Sequence, residues 1–120
     1  MKVAIIGGGA AGFFAAVNVA ANYPDAKVEI LEKSNKTLSK VKVSGGGRCN
    51  VTNAESDIQE LVKAYPRGTK LMKHHLRSFN TSDMRSWLEE RNVPLVVQED
   101  NCIFPKSQDS QSIIDCFRDE

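Results

Sequence analysis

The sequence predicts an α/β fold that begins with a strand, a helix and a second strand of one parallel sheet. The segment Lys2–Ile6 is rich in β-branched residues and is stopped by three glycines, which is typical of a strand buried on both faces. An alanine-rich segment from Ala10 to Asn22 predicts a helix that ends before Pro24, and Lys27–Leu31 predicts the second strand. Crossovers of this kind are almost always right-handed, so we expect the helix to cover one face of the sheet.

The rest of the chain predicts several helices and a short β-hairpin. Residues 33–55 combine polar side chains with a triple glycine and little apolar periodicity, so we expect an extended loop there. Ser56 and Gln59 resemble a capping box before a helix that ends at Pro66, and further helices are predicted over residues 69–79, 82–91 and from Ser110 onward. Residues 95–98 and 102–104 predict the two strands of the hairpin, joined by a polar turn.

The composition fits one modest domain without a strong electrostatic field. The 120 residues contain 16 Lys and Arg and 15 Asp and Glu, so we expect no nucleic-acid or membrane partner. The three cysteines form no C-x-x-C pair, and the N-terminal apolar run is too short for a signal peptide or a membrane span, which favours a cytoplasmic protein. The last predicted helix has scarcely two turns before Glu120, which indicates an incomplete domain with no second domain in residues 1–120.

A glycine motif joins the first predicted strand to the first predicted helix. Residues 7–12 read G-G-G-A-A-G and contain the G-x-G-x-x-G pattern in the strand-to-helix context that nucleotide binding requires. Gly7 permits the tight turn, Gly9 lets a pyrophosphate approach the backbone, and Gly12 allows the helix to pack close to the strand. The helix N-terminus at Ala10 and Ala11 offers free N–H groups to an anion. The motif predicts a Rossmann-like nucleotide site, and a flexible turn without a ligand is the alternative.

Glu32 ends the second predicted strand and completes this pattern. An acidic side chain at this position can accept hydrogen bonds from the ribose hydroxyls of an adenosine, and it disfavours a 2′-phosphate. An ordinary solvated carboxylate at the end of a strand is the alternative interpretation of Glu32.

A second candidate site lies within the predicted loop. Three successive glycines place backbone N–H groups in reach of an anion, and the arginine that follows can add charge-assisted bonds to a phosphate. A flexible loop with a solvated arginine is an equally good interpretation of the composition. The residues of this segment are Ser44, Gly45, Gly46, Gly47, Arg48, Cys49 and Asn50.

Two further features are weaker candidates for chemistry. Cys49 has no second cysteine before Cys102, so we favour packing or cofactor proximity for Cys49 over disulfide chemistry. His74 and His75 are adjacent and lack the i, i+4 spacing of a helical metal pair, so we expect solvated histidines and no metal site.

With these motifs in view, the sequence resembles a bacterial family of NAD(P)/FAD-dependent oxidoreductases, the YhiN-type or aminoacetone-oxidase-like FAD-binding flavoproteins. The resemblance covers most of the chain. It rests on residues 3–12, on Leu31-Glu32-Lys33 and above all on residues 44–53, S-G-G-G-R-C-N-V-T-N. The first two motifs are common to many FAD proteins, whereas the third is specific to this family. The chain departs from the family pattern at Asn101 and Cys102, where glycine and arginine are usual, and at Ser39, where glycine is usual.

The resemblance implies that the first glycine loop binds FAD rather than NAD, with Glu32 and Lys33 beside the adenosine. It also implies that the Ser44–Asn50 segment passes near the flavin and its pyrophosphate, with NAD(P)H as a candidate electron donor. Family members are several hundred residues long, and a returning C-terminal segment completes their FAD domain. We therefore expect residues 1–120 to form the N-terminal part of a discontinuous FAD-binding domain.

The expected function is that of an oxidoreductase in which the flavin itself carries the redox chemistry. We expect activity from the full-length protein and none from these 120 residues alone. The alternatives are a fragment of an NAD-binding dehydrogenase, which Glu32 would serve equally well, and an inactive nucleotide-binding remnant. The sequence assigns no catalytic residue, no substrate and no oligomeric state.

Overall fold

The computed structural model describes residues 1–120 and has an α/β fold, as predicted. The chain divides into a first unit, formed by Met1–Cys49 and Asp109–Glu120, and a second unit, Asn50–Gln108. The assignment of residues 1–120 to one discontinuous domain remains a prediction. No helix has both the length and the apolar character that crossing a membrane requires. The elements along the chain are β1 (Lys2–Ile6), α1 (Ala10–Asn22), β2 (Lys27–Leu31), α2 (Ser39–Gly47), β3 (Thr52–Asn53), α3 (Ile58–Leu61), a 3₁₀ turn (Val62–Ala64), α4 (Thr69–Ser78), α5 (Thr81–Glu89), β4 (Leu95–Val97), β5 (Cys102–Pro105) and α6 (Gln111–Asp119).

The first unit opens with the predicted βαβ arrangement. Strands β1 and β2 are parallel and in register from Lys2 opposite Lys27 to Ile6 opposite Leu31. Helix α1 contacts both strands and buries Val17, and the ring of Phe13 packs against that of Phe117 in α6 with centroids 6.2 Å apart. The predicted bounds of β1, α1 and β2 are confirmed.

The prediction that β1 is buried on both faces is wrong. Alternate residues of both strands are exposed, and Ile6 and Leu31 are 80% and 52% exposed. The sheet has only two strands, α1 packs against both of them, and every second residue of each strand is left exposed. The β-branched composition of β1 therefore identified a strand but not how many of its faces are covered.

The prediction of an extended loop over residues 33–55 is also wrong in part, because α2 and β3 lie within it. Leu38 precedes α2 in a left-handed conformation, with φ of 55°, and its side chain is only 1% exposed. Leu38 and Val41 are buried three residues apart, so the apolar face of this short helix has only these two members. Tertiary contact fixes the helix: the Ser110 hydroxyl donates to the carbonyl oxygen of Lys42 at 2.8 Å.

The second unit combines a three-stranded antiparallel sheet, ordered β3-β5-β4, with α3, α4 and α5. The predicted hairpin is confirmed, with Val96 opposite Phe104. The predicted cap at Ser56 is wrong: Asp57 caps α3 and accepts a hydrogen bond from the N–H of Gln59 at 2.7 Å. The core residues of this unit come from its helices, its strands and the segments between them, and include Val62, Leu76, Trp87, Leu88, Val93, Ile103 and Phe104.

Candidate nucleotide-binding site

The first glycine loop forms a tight turn between β1 and α1. Gly7 has a φ of +105°, which side-chain-bearing residues rarely adopt, and its N–H donates to the carbonyl oxygen of Leu31 at 2.8 Å. Gly9 is the N-cap of α1, and its carbonyl oxygen accepts from the N–H of Phe13 at 3.1 Å. The turn therefore ends β1 and starts α1 within three residues.

Gly9 and Gly12 have different surroundings. A Cβ atom placed on Gly12 would collide with the carbonyl oxygen of Gly7 and would lie 3.2 Å from the Gly7 carbonyl carbon. A Cβ atom on Gly9 would meet nothing within 4 Å. Gly12 is thus needed for packing of α1 against the loop, whereas Gly9 faces space in which a ligand can lie.

The N-terminus of α1 is open to an anion. No side chain caps the helix, and its first turn contains no acidic residue. Ala10 and Ala11 are both exposed. The first N–H groups of a helix have no partner within the helix, and they favour a negative charge at this end.

Glu32 connects the end of β2 to the glycine loop. Its Oε2 atom accepts from the N–H of Gly8 at 2.8 Å, and its Oε1 atom accepts from the N–H of Ser34 at 2.9 Å. The hydrogen bonds from the Ser34 and Gly8 backbones lower the pKa of Glu32 from its usual value of 4.5. Glu32 is therefore an ionised hydrogen-bond acceptor at neutral pH.

The segment after Glu32 returns to the glycine loop. The N–H of Leu38 donates to the carbonyl oxygen of Gly8 at 2.8 Å, and the carbonyl oxygen of Leu38 accepts from Lys42 in α2. A Cβ atom on Gly8 would lie 2.9 Å from the Thr37 methyl group. Gly8 is therefore enclosed between Glu32 and Thr37, a role that the glycine motif does not predict. The isolated apolar residue Leu38 in a polar segment was the only sequence signal for this contact.

The second glycine segment presents bare backbone in left-handed conformations. Gly45, Gly46 and Gly47 have φ values of 55°, 67° and 85°, and the helical geometry of α2 is interrupted at Ser44–Gly46. Cβ atoms on Gly46 and Gly47 would meet nothing within 4 Å. The Arg48 Nε atom donates to the carbonyl oxygen of Gly45 at 3.1 Å, so the arginine is folded against the segment.

Cys49 ends the N-terminal stretch of the first unit, Met1–Cys49, and is buried, at 6% exposure. Burial raises the pKa of the Cys49 thiol, while a hydrogen bond with the Ser44 side chain acts in the opposite direction. This burial agrees with the packing alternative for Cys49, and its proximity to a cofactor remains a prediction. A thiol with a raised pKa is a weak nucleophile at neutral pH, which argues against redox chemistry at Cys49.

A known protein family has the same sequence pattern as this chain. The sequence pattern of the HI0933-like protein Rossmann domain matches residues 1–120. The chain belongs to the HI0933-like family. The match confirms the Rossmann-like fold and the resemblance to the YhiN-type flavoproteins.

This HI0933-like domain is also similar to a curated protein named 3-dehydro-bile acid delta(4,6)-reductase from Clostridium scindens. The two are 45% identical over 56 residues, which are 47% of this chain and 14% of the reductase. The chain therefore corresponds to a small part of that protein.

In the HI0933-like domain, some of the predicted site residues lie close together, and others lie in different parts of the structure. Gly7, Gly9, Gly12 and Glu32 meet around one turn, with Gly8 as the link. Lys33 is exposed beside Glu32. Asn50 begins the second unit and lines a cavity of that unit with Thr52 and Tyr65.

Proposed function

We propose that this chain is the FAD-binding part of a flavoprotein oxidoreductase, in which Glu32 and the Gly7–Gly12 loop hold the ADP moiety. The observation that carries the proposal is the 2.8 Å hydrogen bond from the Gly8 N–H to the Glu32 carboxylate. This bond fixes an ionised acceptor beside the glycine loop, at the position where a dinucleotide presents its ribose hydroxyls. Membership of the HI0933-like flavoprotein family supports FAD as the dinucleotide.

The pyrophosphate of the ligand would lie at the N-terminus of α1. Gly9 has open space at its Cβ position, and the exposed Ala10 and Ala11 leave their backbone accessible. An uncapped helix start without acidic neighbours is the electrostatic environment that a pyrophosphate favours. Lys33 adds a positive charge close to Glu32.

The second glycine segment, Ser44–Asn50, would contact the flavin and its pyrophosphate. A Cβ atom on Gly46 or Gly47 would meet nothing within 4 Å, so no neighbouring side chain blocks access to this backbone, and Arg48 adds a guanidinium group. A bound flavin supplies hydride or electron transfer, and the residues of this chain bind and orient it. NAD(P)H is the electron donor we propose, since the curated relative is a reductase by name.

The first test is the absorption spectrum of the purified chain after addition of FAD and removal of the excess. We expect the visible absorption bands of a bound flavin, and titration calorimetry should show binding of FAD but not of NAD. Binding of NAD alone would identify the dehydrogenase alternative and overturn the flavin assignment.

Two variants locate the ligand. Gly9→Val should abolish FAD binding because its side chain fills the space reserved for the pyrophosphate. Glu32→Gln should weaken FAD binding by about tenfold, as expected for loss of a charge-assisted acceptor. Glu29→Gln, within β2 and paired with Lys27, is the matched control and should bind FAD normally. Normal FAD affinity in Gly9→Val and Glu32→Gln would overturn this placement of the ligand.

A further inference from the structure

A cationic groove lies in the first unit between α2 and α6, and the proposed FAD site does not account for it. The groove has a volume of about 460 Å³, and its lining includes Lys36, Thr37, Ser39, Lys42, Gln111 and Arg118. This volume is within the range of small-molecule sites, and the lining contains hydroxyl and amide groups between the cations. Gly7, Gly9, Gly12 and Glu32 do not line it, and the groove adjoins the glycine loop only through Thr37, which lies close to Gly8.

Two of the three cations are held in position by neutral partners from distant parts of the chain. Lys42 Nζ donates to the Gln111 Oε1 atom at 2.9 Å. Gln111 in turn donates through Nε2 to the Asp115 carboxylate at 2.7 Å, which orients the amide so that its oxygen faces Lys42. At the other end of the groove, Arg118 Nη2 donates to the Thr37 hydroxyl oxygen at 3.3 Å. Both contacts join α6 to residues before or within α2.

The positive charge of the groove is not neutralised by the protein. The groove lining contains no Asp or Glu, and no ion pair joins Lys36, Lys42 or Arg118 to a carboxylate. Cations elsewhere do have such partners, as in the pairs of Lys27 with Glu29 and Arg85 with Glu89. Three like charges around one concavity repel one another, and an anion between them would remove that repulsion.

We propose that this groove binds the phosphate group of a small molecule at a site separate from the dinucleotide site. Arg118 presents a planar fork of N–H donors, and Lys36 and Lys42 add two ammonium groups, a donor set that matches a tetrahedral oxyanion with several negative charges. The hydroxyl of Ser39 provides a further neutral donor at the same groove. The proposal does not depend on whether FAD is the ligand of the glycine loop.

Residue-resolved acetylation tests the proposal, with inorganic pyrophosphate as the probe. The Gly9→Val variant is used alongside the unmodified chain, so that pyrophosphate at the glycine loop does not contribute. We expect pyrophosphate to slow the acetylation of Lys36 and Lys42, read by mass spectrometry, while Lys2 and Lys70 react at unchanged rates. Unchanged labelling of Lys36 and Lys42 would overturn the proposal. Equal slowing at all four lysines would overturn it as well, because that result is general ionic screening.

A variant that removes the charge of Arg118 tests whether this side chain contributes to phosphate binding. Arg118→Gln should weaken pyrophosphate binding at the groove by about tenfold, the effect of losing one charge-assisted contact. Arg77→Gln, at an exposed position of α4 in the second unit, is the matched control and should leave the protection of Lys42 unchanged. Equal binding by the Arg118→Gln variant and the unmodified chain would show that the groove is not the site.

A second probe distinguishes the sources of the phosphate. AMP and pyrophosphate are compared on the Gly9→Val background by the same protection of Lys36 and Lys42. Stronger protection by AMP identifies a nucleotide phosphate, and equal or weaker protection identifies a site for the phosphate group itself. Both outcomes support the proposal, whereas protection by neither probe would overturn it.

Discussion

The two glycine segments of the first unit use glycine for different physical reasons. In the first segment, Gly12 lies in the first turn of α1, and no Cβ atom fits there because the carbonyl group of Gly7 is too close. In the second segment, Gly46 and Gly47 have open space around them but adopt left-handed backbone conformations. Packing therefore limits substitution at Gly12, whereas backbone dihedral angles limit substitution at Gly46 and Gly47, as they also do at Gly7. Substitutions that look alike in the sequence should have different effects in the two segments.

The largest loss of folding stability is expected for Gly12→Ala. The new methyl group would collide with the backbone of Gly7, which has no alternative position while it hydrogen-bonds to Leu31. We expect a loss of about 3 kcal/mol in the free energy of unfolding, the upper part of the range for overpacked sites. Urea denaturation followed by circular dichroism measures this loss.

Gly9→Ala is the control for Gly12→Ala. Because its Cβ meets nothing within 4 Å, the free energy of unfolding should change by no more than about 0.5 kcal/mol. Equal stability losses in the two variants would contradict the packing explanation.

A smaller effect is expected for Gly46→Ala in the second segment. Alanine fits the available space but must adopt a φ of 67°, which costs roughly 1–2 kcal/mol in a residue with a Cβ. Gly46→Asn should lose less stability, because asparagine enters the left-handed region more easily than alanine does. The same urea titration measures both variants. If asparagine were as destabilising as alanine, the cost would not come from the backbone conformation.

The acid dependence of stability should reveal the contact between Glu32 and the first segment. The pKa of Glu32 is lowered in the folded chain, so its contribution to stability is present above about pH 4.5 and is lost as the pH falls through the folded-state pKa. Glu32→Gln should therefore be less stable than the unmodified chain at neutral pH, and this difference should shrink in acid. Urea midpoints measured across this pH range test the effect, and the Glu29→Gln variant should retain the acid-dependent step of Glu32. A stability difference that does not change with pH would contradict the assigned hydrogen bonds.

The smallest effect concerns the reactivity of Cys49 at the end of the second segment. Burial raises the pKa of its thiol, so Cys49 should react with iodoacetamide more slowly than the partly exposed Cys102 at neutral pH. Mass spectrometry of the labelled peptides measures the two rates. Urea should remove the difference, and faster labelling of Cys49 in the folded chain would show that the second segment opens readily.

The first segment was predictable in detail because its signals are local. The run of β-branched residues, the spacing of the glycines and the position of Glu32 all lie within about thirty residues, the length of a βαβ unit. The structure confirmed the bounds of β1, α1 and β2 and brought Glu32 to the glycine loop. The role of Gly8 was not predictable, because the contact with Thr37 depends on how the segment after Glu32 returns.

The second segment was harder to predict because its order comes from distant residues. The short helix before Gly45 has only Leu38 and Val41 as buried apolar positions, which is too few to produce a clear helical period. Ser110 stabilises it from the far end of the chain, donating its N–H to Gly47 and its hydroxyl to Lys42. Contacts between residues more than sixty positions apart leave no pattern in a short sequence window.

The sequence by itself determined the α/β class, the Rossmann-like turn, the position of the acidic residue and the resemblance to the flavoprotein family, because each rests on short-range periodicity or on a contiguous motif. Only the tertiary structure decided that one face of the β1–β2 sheet is exposed, that the predicted loop contains a helix, and that Lys42 and Arg118 line one groove. Burial and electrostatic environment depend on which distant side chains meet, and that information is not contained in the local order of residues.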